Sequence, residues 1–360
     1  MPTTRLTASA GWAWTPISRT GSNIGSWLDA TSAPQHGGRN FMPVQKHLRP
    51  LAIAATLSMV LYLLAMFAGD ARQVGKTILA VTWPQLVLIL GLSLFNYALR
   101  FLRWQSYVTA LGHAVPWRRH IAYYLAGFAF TVTPGKAGEA VRSLYLKPHG
   151  MSYAVSLAAF FVERLLDVLA IAVLAVGGAW LFPDYRAFVL LSCLGIGVFA
   201  WFIVRPGLPD RLQCWVGRAC DTSKLTRVLR HLAGLLQASA RLLVPRRLYA
   251  GLAVGILAWA AEGFALYLIV GGMGAPLPVA AATGIYAVSV LAGALSFLPG
   301  GLGGTEAVMG LMLILAGVNP STAIAATLLC RFTTLWFAVL IGLLAMLGLE
   351  VGKTSNSPGI

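Results

Sequence analysis

The sequence predicts an all-α polytopic membrane protein, and three observations carry that reading. Hydrophobic residues make up 58% of the chain and charged residues only 11%, against roughly 25% charged in ordinary soluble domains, and the mean hydropathy is +0.75. The apolar residues gather into eight stretches, six of them long enough to cross a bilayer at about 20 residues each. The basic residues behind the formal net charge of +16 collect at the ends of those stretches and in one loop, the distribution that marks cytoplasmic segments. They form no single solvated face, so nucleic-acid binding is not expected.

Residues 1–45 are rich in Ser, Thr, Gly and Pro and lack an apolar signal core, so they are expected to be a disordered tail. Met42 to Pro50 (MPVQKHLRP) has the form of a basic lead-in, which makes Met42 a candidate start. A first span is expected over 51–69, then a short polar link with Asp70, Arg72 and Lys76. The second span, 84–107, has a basic far end at Arg100, Arg103, Arg118 and Arg119. The stretch 120–147 is cut by Pro134-Gly135 into pieces of about 14 residues, which as helix reach only some 20 Å of a roughly 30 Å core. It is therefore expected to be a re-entrant hairpin, broken where proline cannot continue a helix.

Spans follow over 152–180 and 187–204. The main hydrophilic stretch, 205–247, carries nine Lys or Arg residues against Asp210 and Asp221 and should be a cytoplasmic loop. The chain re-enters over 248–271, meets a second interruption at FLPGGLGGTE within 284–316, and ends with a span over 321–348 and a disordered tail at 351–360. Alternation from the cytoplasmic loop puts both termini on the cytoplasmic side of a bacterial inner membrane. The first hairpin then dips from the cytoplasm and the second from the periplasm.

The two interrupted stretches belong to an internal repeat. At an offset of 167 residues Glu139 falls on Glu306, Gly150 on Gly317 and Arg164 on Arg331, with nine identities in the 26 positions from Glu139 to Arg164. Pro134-Gly135 pairs with Pro299-Gly300 after a two-residue length difference. Three spans lie between the hairpins, and an odd number reverses the second copy. Residues 46–186 and 187–350 are thus expected to be inverted membrane repeats, each reading span, span, broken hairpin, span. Paired discontinuous helices in inverted repeats build the midplane sites of secondary transporters.

Five of the eleven acidic residues lie within membrane segments: Glu139, Glu163, Asp167, Glu262 and Glu306. A charge at the bilayer centre costs about 2.5 to 3.5 kcal/mol on insertion scales, so these side chains should face the interior and be paired. Arg164 and Arg331 are the natural partners. The spacing of Glu163 and Asp167 holds Arg164 between two acids on one helical face, whereas Arg331 has Cys330 and Thr334 at the matching places and depends on Glu306 or on a bound anion. Two readings of the arginines stand together: they clamp a lipid phosphate, or they form structural bridges. The glycines at the breaks, Gly135 and Gly138 in the first, Gly300, Gly301, Gly303 and Gly304 in the second, are expected to precede short helices whose N–H groups bind an anion. Lys136 and Arg142 add charge in the first hairpin.

Two motif resemblances fail. GDARQVGKT at 69–77 is one residue too long for a phosphate-binding loop, and GGLGG lacks the strand and acidic partner of a dinucleotide site. Cys193, Cys214, Cys220 and Cys330 have no Cys-x-x-Cys spacing. His113, His120, His149 and His231 are expected to be interfacial. No metal and no cofactor is expected.

PGKAGEAVRSLYL at 134–146, VERLLD at 162–167, FLPGGLGGTEA at 297–307 and the late Arg331 together resemble the lysylphosphatidylglycerol synthase transmembrane family, also called flippase-like or UPF0104 proteins. The resemblance covers nearly all of 45–350. It implies a membrane domain that flips a lipid between leaflets. In bifunctional members that lipid is aminoacylated by an attached soluble domain; here no such segment is expected, so synthesis is not. Some stand-alone members are associated with hopanoid or polyprenyl-linked glycolipid pathways, which leaves the cargo open. The expected function is flippase or scramblase-like transport of a membrane lipid. The competing readings are a membrane-embedded enzyme and an accessory partner of lipid-biosynthesis enzymes.

Overall fold

The computed structural model describes residues 71–179, 183–204, 224–296 and 298–354, with Gly207, Arg211 and Cys214 between them, all within one compact unit, Val44–Ile360. The expected tail at 1–45, the span at 51–69 and the residues 355–360 lie outside the described residues, as does most of 205–223. Every regular element among the described residues is helical.

Helix α1 (Ala71–Leu79) occupies what was expected to be a polar link. Helix α2 (Trp83–Ala110) starts at a capping box, in which the Thr82 N–H donates to Gln85 Oε1 at 3.0 Å and Pro84 occupies the first turn. Its 28 residues span about 42 Å, more than a hydrocarbon core of about 30 Å. Helix α3 (Trp117–Gly127) gives way to a 3₁₀ turn, Phe128–Phe130, and the chain breaks before Pro134. Beyond the break lie a 3₁₀ segment, Pro134–Val141, and a five-residue helix α4 (Arg142–Leu146).

Helices α5 (Tyr153–Ala179), α6 (Pro183–Val204), α7 (Lys224–Ala240) and α8 (Pro245–Gly272) follow. Part of the expected basic loop is therefore helix. Among the described side chains of α7, Ala233, Leu236 and Ser239 are buried, three residues apart, and the helix is packed against α5. Arg246 and Arg247, expected in the loop, sit in the first turn of α8. Helix α9 (Val279–Leu295) leads to the second break, a 3₁₀ turn at Pro299–Gly301, and α10 (Gly304–Leu315) restarts the helix. The last segment is continuous from Pro320, as α11 (Pro320–Arg331), a π-helical turn at Phe332–Trp336 and α12 (Phe337–Thr354).

Among the described residues, three segments are long and apolar enough to cross a membrane: Trp83–Ala110, Pro245–Gly272 and Pro320–Val351. Helix α5 matches them in length, with 27 residues, but Glu163, Arg164 and Asp167 interrupt its apolar sequence. Leu88, Leu94 and Phe95 on α2, Leu191 and Leu194 on α6 and Leu344 and Leu347 on α12 point outward, an apolar surface that only lipid or another protein can cover.

Among the described residues, two large apolar clusters fill most of the interior, with two smaller ones around Phe130 and Trp336. One joins α8, α9, α10 and α11 around Leu266, Ile285, Leu313 and Cys330. The other joins α2, α3 and α5 around Trp104, Tyr124 and Val162. Between α5 and α9 the backbones meet at Gly178 and Gly284, where a Cβ on either residue would collide with the other's Cα. Small residues at such crossings replace the hydrophobic drive that helices lack inside a bilayer.

Candidate functional site

The two breaks touch. A Cβ built on Gly300 would come within 3.2 Å of the Val132 Cα, so the second turn lies directly on the chain entering the first. Gly300 and Gly301 have φ of +62° and +66°, a left-handed geometry that glycine adopts without penalty. Lys136 also has positive φ, +56°, which is strained for a side chain of that size. Its ammonium lies 5.1 Å from the Trp259 ring centroid, a cation–π distance.

Beside these breaks lies a cavity of about 250 Å³. Arg100 and Tyr97 from α2, Arg164 and Asp167 from α5, Trp259 and Glu262 from α8, and Arg331 from α11 line it together with Lys136, Gly300 and Gly301. Behind one wall the acids and arginines interlock. Arg164 Nη2 lies 3.1 Å from Glu163 Oε1, 3.0 Å from Asp167 Oδ2 and 3.6 Å from Glu139 Oε2. Arg103 donates to Asp167 and Arg142 to Glu163, while Tyr124 Oη donates to Glu163 Oε1 at 2.9 Å. Thr131 Oγ1 donates to Glu139 Oε1 at 2.7 Å.

The opposite wall is simpler. Arg331 Nε donates to Glu306 Oε1 at 2.7 Å, and its Nη2 donates to the Gly300 carbonyl at 2.8 Å. Glu262 accepts from the Tyr286 hydroxyl and has no Lys or Arg within ion-pair distance among the described residues. Arg100 stands farther from its nearest carboxylate than any other arginine in the cluster. Its Nη2 stands 3.5 to 3.9 Å from Asp167, Glu139 and Glu163, yet neither its Nε nor its Nη2 makes a hydrogen bond. The guanidinium is 3% exposed and is held by the rings of Phe128 and Trp259, at 5.4 and 5.5 Å. The Trp259 Nε1 donor is likewise buried without a partner. Buried donors without acceptors are costly, and here several of them share one chamber.

A family model described as the lysylphosphatidylglycerol synthase transmembrane region matches residues 51–342. The chain belongs to this family. Curated relatives are UPF0104 membrane proteins. One from Methanothermobacter thermautotrophicus is 26% identical, with 69% of this chain and 80% of the relative covered. One from Pyrococcus horikoshii is 24% identical, with 81% and 94% covered, and one from Methanocaldococcus jannaschii is 22% identical, with 80% and 91% covered. This chain of the lysylphosphatidylglycerol synthase transmembrane family is a membrane protein, and its several apolar helices fit a multi-pass one.

Among the residues singled out by sequence, Lys136, Arg164, Asp167, Glu262, Gly300, Gly301 and Arg331 line the cavity of this family member. Glu139 and Glu306 stand one contact back, each against its arginine. Arg142 and Glu163 do not line it: Arg142 is buried over the Trp104 ring at 3.9 Å. Gly138 packs on Phe130 and Thr133, and Gly304 on Ser296; Gly303 is the residue before α10. Gly135 lies in the 3₁₀ segment.

The first break corrects one expectation. Gly135 and Gly138 do not precede an α-helix with a free N-terminus, because Pro134–Val141 is 3₁₀ and Thr133 Oγ1 already takes the Gly138 N–H at 2.6 Å. Only the second break restarts a true helix, α10. His120 is a further correction. It is fully buried, accepting from Trp104 Nε1 at 2.9 Å and bonded to Gln105. Arg100 and Arg103, expected at the basic end of a span, are 3% exposed interior residues. The missed signal was length: helix α2 runs on to Ala110, about 15 Å beyond Arg100 at 1.5 Å per residue.

Proposed function

We propose that the protein moves a lipid between the leaflets of a bacterial inner membrane, with the headgroup passing through the cavity while its tails remain in the bilayer. The observation that carries this reading is the placement of Arg164 and Arg331, equivalent positions of the sequence repeat, on the wall of one chamber with Arg100, whose Nε and Nη2 make no hydrogen bond. In this reading the eight apolar stretches form two inverted halves with both termini cytoplasmic, and the breaks at Pro134 and Pro299 are re-entrant. Non-helical backbone at membrane depth is tolerated where it lines a polar chamber, and the two breaks border this cavity.

The residues have distinct tasks. Arg164 and Arg331 each keep a carboxylate partner, so they hold phosphate by sharing their remaining donors. Arg100 and Trp259 supply donors that nothing else uses. Glu139 and Glu306 orient the arginines. The cargo class is an anionic or zwitterionic phospholipid or a polyprenyl- or hopanoid-linked lipid supplied by lipid-biosynthesis enzymes.

Reconstitution into vesicles carrying labelled phosphatidylglycerol or phosphatidylethanolamine tests the proposal. Wild type should move label to the outer leaflet, and Arg164→Ala and Arg331→Ala should each slow it by at least about tenfold, the loss of one charge-assisted hydrogen bond. No movement of any candidate lipid, or movement by both variants at the wild-type rate, would sink it.

A further inference from the structure

A second recess lies away from the cavity, in the seam between α2 and α8, with a volume of about 640 Å³. On α2 it is formed by Leu102, Arg103, Ser106 and Tyr107, and on α8 by Arg247, Ala250, Gly251 and Val254; both sets follow helical spacing, so each is one face of its helix. The two ends differ in chemistry. Arg246 and Arg247 stand exposed in the first turn of α8, where the positive end of the helix dipole adds to their field. Arg247 Nη1 donates to the Arg241 carbonyl at 3.0 Å, which fixes the direction of that guanidinium. Arg103 forms the inner wall, and no carboxylate lines the recess among the described residues.

Two buried donors complete the polar end. Tyr107 is 2% exposed and Arg103 3%, and neither the Tyr107 hydroxyl nor the Arg103 Nε has a hydrogen-bond partner. Farther along the seam the walls are apolar: Leu102 is 50% exposed, with Ala250 and Val254 on the facing helix. Cations and unused donors at one end and aliphatic walls at the other fit an amphiphile with an acidic head. Basic pockets between transmembrane helices bind such headgroups.

We infer that this seam is a binding site for an anionic phospholipid, whose phosphate meets Arg246 and Arg247 and whose acyl chain lies along Leu102, Ala250 and Val254. The absence of any carboxylate on its wall sets it against a zwitterionic head, which would leave an ammonium among arginines. The site is separate from the cavity and does not require translocation. One contact joins them, because Arg103 lines the seam and donates to Asp167, which lines the cavity.

Native mass spectrometry and thermal unfolding of the full chain, delipidated in detergent and then given phosphatidylglycerol or phosphatidylcholine, test the site. Wild type should retain phosphatidylglycerol at least about tenfold better, as charge-assisted bonds to two arginines require. It should also show a higher Tm with that lipid alone. Arg246→Ala combined with Arg247→Ala should abolish the preference, and the double lysine variant should keep part of it. Ala250→Trp, which fills the seam and leaves every charge in place, should reduce retention of phosphatidylglycerol in a protein whose lipid-free Tm is unchanged. Equal retention of the two lipids by wild type, an Ala250→Trp variant that binds as wild type does, or full stabilisation by inorganic phosphate alone would each overturn the assignment.

Discussion

Arg331 holds the second break in place: its Nη2 donates to the Gly300 carbonyl at 2.8 Å while its Nε donates to Glu306 at 2.7 Å. One side chain on α11 thus fixes both the glycine turn and the first turn of α10. The ion pair is largely buried, with side-chain exposures of 8% and 15%. Removing one partner of such a pair leaves the other uncompensated, at a cost of about 3 to 5 kcal/mol. Arg331→Ala should therefore lower the Tm sharply in detergent. Adding Glu306→Gln should recover part of the loss, since the orphaned charge is then gone. A double variant less stable than the single one would contradict this assignment of the cost.

The close approach of Gly178 and Gly284 makes a second prediction. Neither residue has room for a Cβ, because the nearest atoms are backbone of the facing helix and cannot swing aside. Gly178→Ala and Gly284→Ala should each destabilise by about 1 to 3 kcal/mol, the usual range for overpacking. The comparison is Gly195→Ala on α6, where nothing lies within 4 Å and a neutral or slightly stabilising effect is expected. Unfolding followed by chemical denaturation in mixed micelles would distinguish them.

The π turn at Phe332–Trp336 predicts a third effect. Its widened backbone presents the Thr333 and Thr334 carbonyls to α2, where Ser93 Oγ donates to the first at 2.9 Å and Tyr97 Oη to the second at 2.8 Å. Tyr97→Phe removes one of these bonds without changing the ring, which packs on Phe128 at 5.0 Å. The expected loss is modest, roughly 0.5 to 1.5 kcal/mol, because bonds between helices in a membrane contribute little on average. A larger loss would mean that the hydroxyl also serves the cavity it borders.

What the sequence showed of this site followed from contrast. Acids and arginines in apolar stretches stand out, so Arg164, Glu139, Glu306 and Arg331 were legible, and their repeat spacing paired them. Arg100 and Arg103 were hidden because basic residues near a span's end usually reach to the membrane surface, and only the true length of α2 buries them. Trp259 and Tyr286 gave no signal, since an aromatic residue in an apolar helix reads as core. The helical character of Lys224–Ala240 was masked by its charge, although Ala233, Leu236 and Ser239 already form a buried stripe. The 3₁₀ path of Pro134–Val141 depends on the Thr133 hydroxyl reaching the Gly138 N–H, a choice that spacing alone does not specify.

Arg100 provides the test that separates binding from architecture. The three carboxylates nearest it, Glu139, Glu163 and Asp167, are already faced by Arg103, Arg142 and Arg164. Deleting Arg100 therefore leaves no acid without a cation, and no hydrogen bond from its Nε or Nη2 is lost, since neither makes one. Arg100→Gln should accordingly cost far less stability than Arg331→Ala. If the chamber takes up a phosphate, however, Arg100 faces it with Nε and Nη2 unused and no carboxylate in close contact, and lipid movement in vesicles should fall by about tenfold or more. Arg100→Lys should restore part of the rate, because it keeps the charge but not the planar fork. A variant that unfolds readily would show that Arg100 serves the packing of α2, and one that is stable and fully active would show that it binds no ligand.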